Sequence, residues 1–141
     1  MVAVTKWLGI LVFCLALSGS RASAAEPTPP EVRALIETQL DAFAHDDAEG
    51  AYAVTAPGIR AIFPDSDTFM AMVRKGYAPV YRHRSVEFGD FAEDGDKVRQ
   101  ALTIVDEDNN VWTAIYMLER QPDGGWKTTG CVLVQSPQSS L

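Results

Sequence analysis

KVRQALTIVDEDNNVWTAIYMLERQPDGGWKTTGCVLV, residues 97–134, decides the architecture. Val98, Gln100, Leu102 and Ile104 recur every second position, the period of a strand with one buried face. Asp106 to Asn110 is a polar turn, and Val111 to Leu118 reads as a mixed apolar strand. Pro122-Asp123-Gly124-Gly125 turns the chain again before a further strand, Trp126 to Val134. Just upstream, Arg84 to Phe91 alternates through Val86 and Phe88, and Glu93-Asp94-Gly95-Asp96 supplies a hairpin turn. Ala78 to Arg82 reads as a short fifth strand, placed at an edge because Pro79 cannot donate to a ladder. The prediction is an antiparallel meander of four to five strands.

Further upstream the period changes. Val32, Leu35, Ile36, Leu40 and Phe43 fall at helical spacing, and Pro30 suits the first turn of that helix. His45-Asp46-Asp47 breaks the stripe, and either aspartate can cap a second short helix over Ala48 to Val54. Pro57-Gly58 interrupts again before a turn at Ile59 to Phe63. Pro64-Asp65-Ser66-Asp67 is a helix-start signal ahead of Phe69, Met72 and Val73, with Arg74 and Lys75 suited to the last turn. Helices followed by a curved meander predict an α+β fold, cone-like, with the helices packed on the sheet.

Residues 1–24 read as an address. One cation at Lys6, the apolar run Trp7 to Leu17 and the small residues Ala22 and Ala24 form the pattern of a cleaved secretory signal peptide. Cleavage falls after Ala24, or after Ala25. The apolar run is about half the length that a spanning helix requires. Phe13 stands before Cys14, where a lipoprotein signal carries a small residue. The expected location is periplasmic or secreted. Residues 25–30 form a Pro-rich leader, residues 31–135 a single α+β domain, and residues 136–141 a fraying polar tail.

Cleavage alters the composition argument. The full chain of 141 residues has 12 Lys and Arg against 19 Asp and Glu, a net charge of −7. Loss of Lys6 and Arg21, with no acid removed, takes it to −9. Such a charge argues against nucleic acid or anionic membrane as partners. Cys14 leaves with the leader, so Cys131 is alone and no internal disulfide can form.

No motif brings a cofactor or a metal. Asp106-Glu107-Asp108-Asn109-Asn110 begins like a calcium loop, yet Val111 and Met117 stand where Gly and a bidentate Glu are needed. His45 and His83 have no ligand-type residue at metal-binding spacing. No phosphate loop and no G-x-S-x-G are present. Cys131 with His83 would make a thiolate–imidazolium pair only if the fold joined them. A lone Cys in an apolar strand reads first as a small core hydrophobe.

Tyr77-Ala78-Pro79-Val80-Tyr81-Arg82-His83-Arg84 concentrates aromatic hydroxyls and cations in an acidic chain. On an extended segment Tyr81 and His83 face one way, Arg82 and Arg84 the other. Either arginine is a planar donor for a carboxylate, whether on a ligand or on a nearby surface acid. The central strands offer no carboxylate, and almost every acid after residue 90 lies in a turn or at a strand end, with Glu87 and Asp90, and Asp41 on the first helix, as exceptions. That distribution weakens acid–base catalysis.

Ala56–Phe63 (APGIRAIF), Phe69–Phe88 (FMAMVRKGYAPVYRHRSVEF) and Val111–Val134 (VWTAIYMLERQPDGGWKTTGCVLV) resemble a family of small secreted bacterial proteins known as a domain of unknown function. The resemblance spans roughly residues 31–134 and implies no activity. Its YRxR pattern carries Pro where this chain has His83, which makes His83 a poor candidate for an essential group. The order of elements also resembles the SnoaL-like (nuclear transport factor two-like) superfamily, in which a sheet wraps a helix into a cone with a pocket. That resemblance implies a fold shared by enzymes and binding domains alike.

The expectation is therefore non-catalytic binding of a small ligand in an aromatic pocket lined by Tyr77, Tyr81, Trp112 and Tyr116, with Arg82 or Arg84 meeting an anionic group. Two alternatives stand beside it. One is a SnoaL-like acid–base enzyme using Asp41, Glu87 or His83. The other is an interaction or homodimer module using the outer sheet face.

Overall fold

Pro30 opens the first helix, its missing N–H falling where a helix has no partner to offer. The computed structural model describes residues 27–137. The leader reading over residues 1–24 and the end of the tail lie outside the described residues. Helix α1 (Pro30–Ala44) buries Val32, Ile36, Leu40 and Phe43, with Leu35 half-buried at the edge of the stripe. Each such side chain contributes about 1.5–3 kcal/mol by leaving water.

Four shorter helices follow: α2 (Ala48–Ala53), α3 (Pro57–Ile62), α4 (Ser66–Gly76) and α5 (Ala78–Tyr81). Asp47 caps α2 by accepting from the Gly50 amide at 2.9 Å, and Asp65 caps α4 by accepting from the Thr68 amide at 2.7 Å. Pro57, read from sequence as part of an interruption, instead begins α3.

The segment Ala78 to Arg82, expected as an edge strand, is helical. The Tyr77 carbonyl accepts from the amides of both Val80 and Tyr81 at 2.9 Å. Pro79 sits at the start of this turn, where its fixed φ and absent donor fit as well as at a sheet edge. The sheet therefore has four strands.

Strands β1 (His83–Asp94), β2 (Lys97–Asp106), β3 (Val111–Arg120) and β4 (Trp126–Gln135) pair antiparallel in chain order. The inward row of β2 is Val98, Gln100, Leu102 and Ile104, all buried, beside Ala114, Tyr116 and Leu118 on β3. The helices cover this face. The opposite face leaves Val111, Val132 and Val134 exposed. The Ser136 amide donates to the Val111 carbonyl at 2.9 Å, so pairing extends into the segment expected to fray.

Bulges in β1 and β4 bend the sheet. β1 gains a residue between Phe88 and Phe91, opposite Leu102 and Gln100. The buried Gln100 amide donates there to the Gly89 carbonyl at 3.1 Å and to the Ala101 carbonyl at 2.8 Å, and Thr28 donates to its Oε1. β4 gains Thr129, between the pairs Met117–Gly130 and Leu118–Thr128. Beside that second bulge the free edge of β4 is covered. The Thr128 amide donates to Val54 and the Thr128 carbonyl accepts from Ala56, each at 2.8 Å. Among the described residues no helix is long and apolar enough to cross a membrane.

Candidate functional site

A cavity of about 300 Å³ opens between the bent sheet and the helices. Gln39 and Phe43 of α1 reach it from one side, and Phe69, Met72 and Val73 of α4 from another. Ile59 and Phe63 close it at α3, with Tyr77 and Val80 at the start of α5. The sheet contributes Tyr116 and Met117 of β3 together with Thr128 to Cys131 of β4, the stretch that holds the bulge.

An aromatic cluster organises the helical wall around Phe69. Its ring centroid lies 5.7 Å from Tyr52, 6.1 Å from Phe63 and 6.4 Å from Phe43. Two polar side chains of the wall are committed to backbone. Gln39 donates to the Ala51 carbonyl at 3.0 Å, and the Thr55 hydroxyl donates to the Tyr52 carbonyl at 2.6 Å. The Thr128 hydroxyl is buried with no hydrogen-bond partner. Burial pushes the Cys131 thiol up to about 12. The Tyr116 phenol is held well above its ordinary range by burial first, and by the neighbouring Cys131 second. Both groups stay protonated at neutral pH.

Of the six residues expected to form one ligand site, the cavity gathers two, Tyr77 and Tyr116. Tyr81 points instead toward Asp46, to which it donates, and accepts from Arg74 Nε at 3.0 Å. Arg82 binds both oxygens of Asp46 and the Phe43 carbonyl, within 2.9 Å in each case. Arg84 donates to Asn109 at 2.6 Å, and the Trp112 indole donates to Asp106 at 2.9 Å. The extended reading had separated Tyr81 from Arg82, but the helical turn at α5 brings them to the same acid.

The groups proposed for proton transfer sit elsewhere. Asp41 and His83 line a separate open groove between α1 and β1, where His83 Nδ1 is 2.9 Å from the Val80 carbonyl. Glu87 is exposed and pairs with Thr103 on the outer face. The Asp106 turn is closed by its own hydrogen bonds, because the carboxylate accepts from Asp108, Asn110 and Trp112. Among the described residues no three His, Cys, Asp or Glu side chains are grouped to hold a metal ion.

Sequence reasoning overlooked Phe63, Phe69, Gln39 and Thr128 as wall residues. Phe69 was legible only as one position of an apolar helical stripe, and nothing local distinguishes a stripe that faces a cavity from one that faces solid core.

A family model described as "Domain of unknown function (DUF4864)" matches residues 25–141. No curated protein matches the chain. A solved structure described as an NTF-2-like protein of unknown function, from Silicibacter pomeroyi DSS-3, superimposes with a TM-score of 0.52 at 14% identity, covering 75% of this chain and 93% of that one. A second, described as a "putative aromatic ring hydroxylase" from Novosphingobium aromaticivorans, gives a TM-score of 0.35 at 18% identity, covering 78% and 96%. The first likeness is one of fold, α+β and NTF-2-like. The second is too loose in geometry to bear on this chain.

Proposed function

The chain belongs to the DUF4864 family, whose description assigns no activity, and we propose that it binds a small ligand without transforming it, in the cavity between helices and sheet. The observation that carries this reading is the chemistry of the wall. A concave, mostly apolar space with a few polar groups is the general form of a small-molecule site. The aromatic cluster around Phe69 supplies contact area, and no described residue of the wall is a carboxylate, imidazole or cation. The deepest titratable groups, Tyr116 and Cys131, hold their protons too tightly to act as bases near neutrality. The leader pattern of residues 1–24 supports placing this activity in the periplasm or outside the cell.

Native mass spectrometry of protein recovered from the periplasm of an exporting host tests both parts. The expected result is a chain shortened by its leader and carrying a retained small molecule of constant mass. A chain that keeps its leader removes the location. An unliganded chain that takes up no small molecule from an apolar library removes the binding function.

A further inference from the structure

Resting on the reading of the cavity as a small-molecule site, the geometry points to the class of ligand: an uncharged, mainly apolar molecule whose one polar group, a carbonyl or hydroxyl oxygen, meets the hydroxyl of Thr128.

The polar contact is the first argument. Among the described residues two buried side-chain polar atoms have no hydrogen-bond partner, the Trp126 indole nitrogen and the Thr128 hydroxyl. Of these two residues only Thr128 lines the cavity. It exposes 5% of its surface and stands on the inner face of β4, opposite the buried Leu118 and beside the bulge at Thr129. Its amide and carbonyl are taken by Val54 and Ala56, so the hydroxyl is the group left over. Gln39 and Thr55, polar neighbours in the same wall, direct their donors to backbone instead.

A buried hydroxyl left unpaired is costly, and such groups are exceptions in folded proteins. The Thr128 hydroxyl is closed off from solvent in the wall. One χ1 step of about 120° carries a threonine hydroxyl to the place of its methyl group, so lying against the wall and facing the cavity are a single rotation apart. A hydroxyl both donates and accepts, and therefore suits a ketone or an alcohol oxygen alike.

Charge is the second argument. None of the described residues lining the cavity is charged. An ionised ligand entering it would lose its hydration with no counter-charge in return, which is prohibitive in an apolar site. The two arginines expected to meet an anion are occupied elsewhere, Arg82 by Asp46 and Arg84 by Asn109.

Size is the third. A volume near 300 Å³ holds about ten water-sized groups. That is the scale of a one- or two-ring compound or a short branched chain.

Equilibrium dialysis of the leaderless protein and of its Thr128→Val variant against three probes of one shape tests the assignment. The probes are acetylnaphthalene, ethylnaphthalene and naphthoate, all substituted at the same ring position. The ratio of ketone to hydrocarbon affinity is expected to be roughly three- to tenfold higher in the wild type than in Thr128→Val, the range that one net hydrogen bond supplies. Naphthoate should bind weakest to both. A cooperative thermal transition shows that the variant is folded. The infrared carbonyl band of the bound ketone gives a second reading, since a hydrogen bond lowers its frequency, and it should lie lower in the wild type than in Thr128→Val. A ratio or a band that is the same in the two proteins, or tighter binding of naphthoate, overturns the ligand class while leaving the binding function intact. Binding of none of the three overturns the class and counts against the binding function beneath it.

Discussion

A single guanidinium nitrogen of Arg82 reaches both carboxylate oxygens of Asp46, at 2.8 and 2.9 Å, and joins two helices that are far apart in sequence. Asp46 lies in the joint between α1 and α2 with φ of 56°, left-handed for a residue that is not glycine. Asp tolerates that conformation better than most residues. Tyr81 adds its hydroxyl to the same carboxylate, and Arg82 spans to the Phe43 carbonyl at the end of α1. The joint between α1 and α2 is thus held by the turn at α5, which packs against α1.

Replacing that acid separates its two contributions. The pair is roughly half exposed, so its ionic part is worth no more than about 1 kcal/mol. Asp46→Ala also meets the left-handed penalty and should destabilise the fold by about 1–3 kcal/mol. Asp46→Gly relieves the backbone and should cost visibly less. Urea denaturation of the two variants measures the difference, and equal losses would show that the backbone contributes nothing.

Gln100 is the most consequential polar residue of the core. It is wholly buried, and its amide serves the carbonyls on both sides of the β1 bulge while Thr28 serves its oxygen. Gln100→Leu keeps the bulk and strands the Gly89 carbonyl and the Thr28 hydroxyl. The expected loss is about 2 kcal/mol. A loss below 0.5 kcal/mol, roughly the floor for a net hydrogen bond, would mean that the bulge is not held by this side chain.

Much of this was legible beforehand, for local reasons. Val98, Gln100, Leu102 and Ile104 announced their shared face by period alone, and the turns at Asp94-Gly95 and Gly124-Gly125 carry left-handed glycines where the sequence placed hairpins. Pro79 misled because its chemistry suits a helix start and a strand edge equally. That one misreading also sent Tyr81 and Arg82 to opposite sides and misplaced the expected site. The cavity itself has no local signature. Its walls come from four helices, connections between helices and two strands, and each wall residue looks like core from within its own segment.

Alkali should weaken the fold in two steps. In the unfolded chain Cys131 loses its proton near its ordinary value of 9.0 and Tyr116 near 10.0, while in the folded protein both hold theirs well beyond these values. The unfolded state therefore binds fewer protons above pH 9, and stability falls as pH rises from there. Chemical denaturation between pH 8 and pH 11 should show this decline. Native Cys131 should also react with a thiol reagent at pH 8 orders of magnitude more slowly than in urea, since thiolate is roughly one part in ten thousand at a pKa of about 12.

Acid acts on the β2–β3 turn. Partial burial works to raise the Asp106 carboxyl, but hydrogen bonds from the Trp112 indole and from Asn110 and Asp108 outweigh it and hold the group below its ordinary 3.8. A depressed carboxylate contributes its stability above the unfolded value and loses it as pH falls through the folded one. The Trp112 indole N–H resonance should hold steady down to pH 4 and move only below it. Movement at a higher pH would break the link between this indole and Asp106.

Thr128 carries a buried hydroxyl without a partner, in the strand position that bridges to the α2–α3 connection. Its backbone amide and carbonyl make that bridge, so the side chain is not needed for it. Val has nearly the same shape and the higher strand propensity. Thr128→Val should therefore stabilise the protein by about 1 kcal/mol, the reverse of the usual cost of changing a buried residue, because it removes a desolvated polar group and loses no hydrogen bond. Thermal unfolding reads the sign directly. A lowered midpoint would mean that the hydroxyl is satisfied in solution by a bound molecule, and repeating the melt after extraction with organic solvent would tell whether that molecule occupies the cavity.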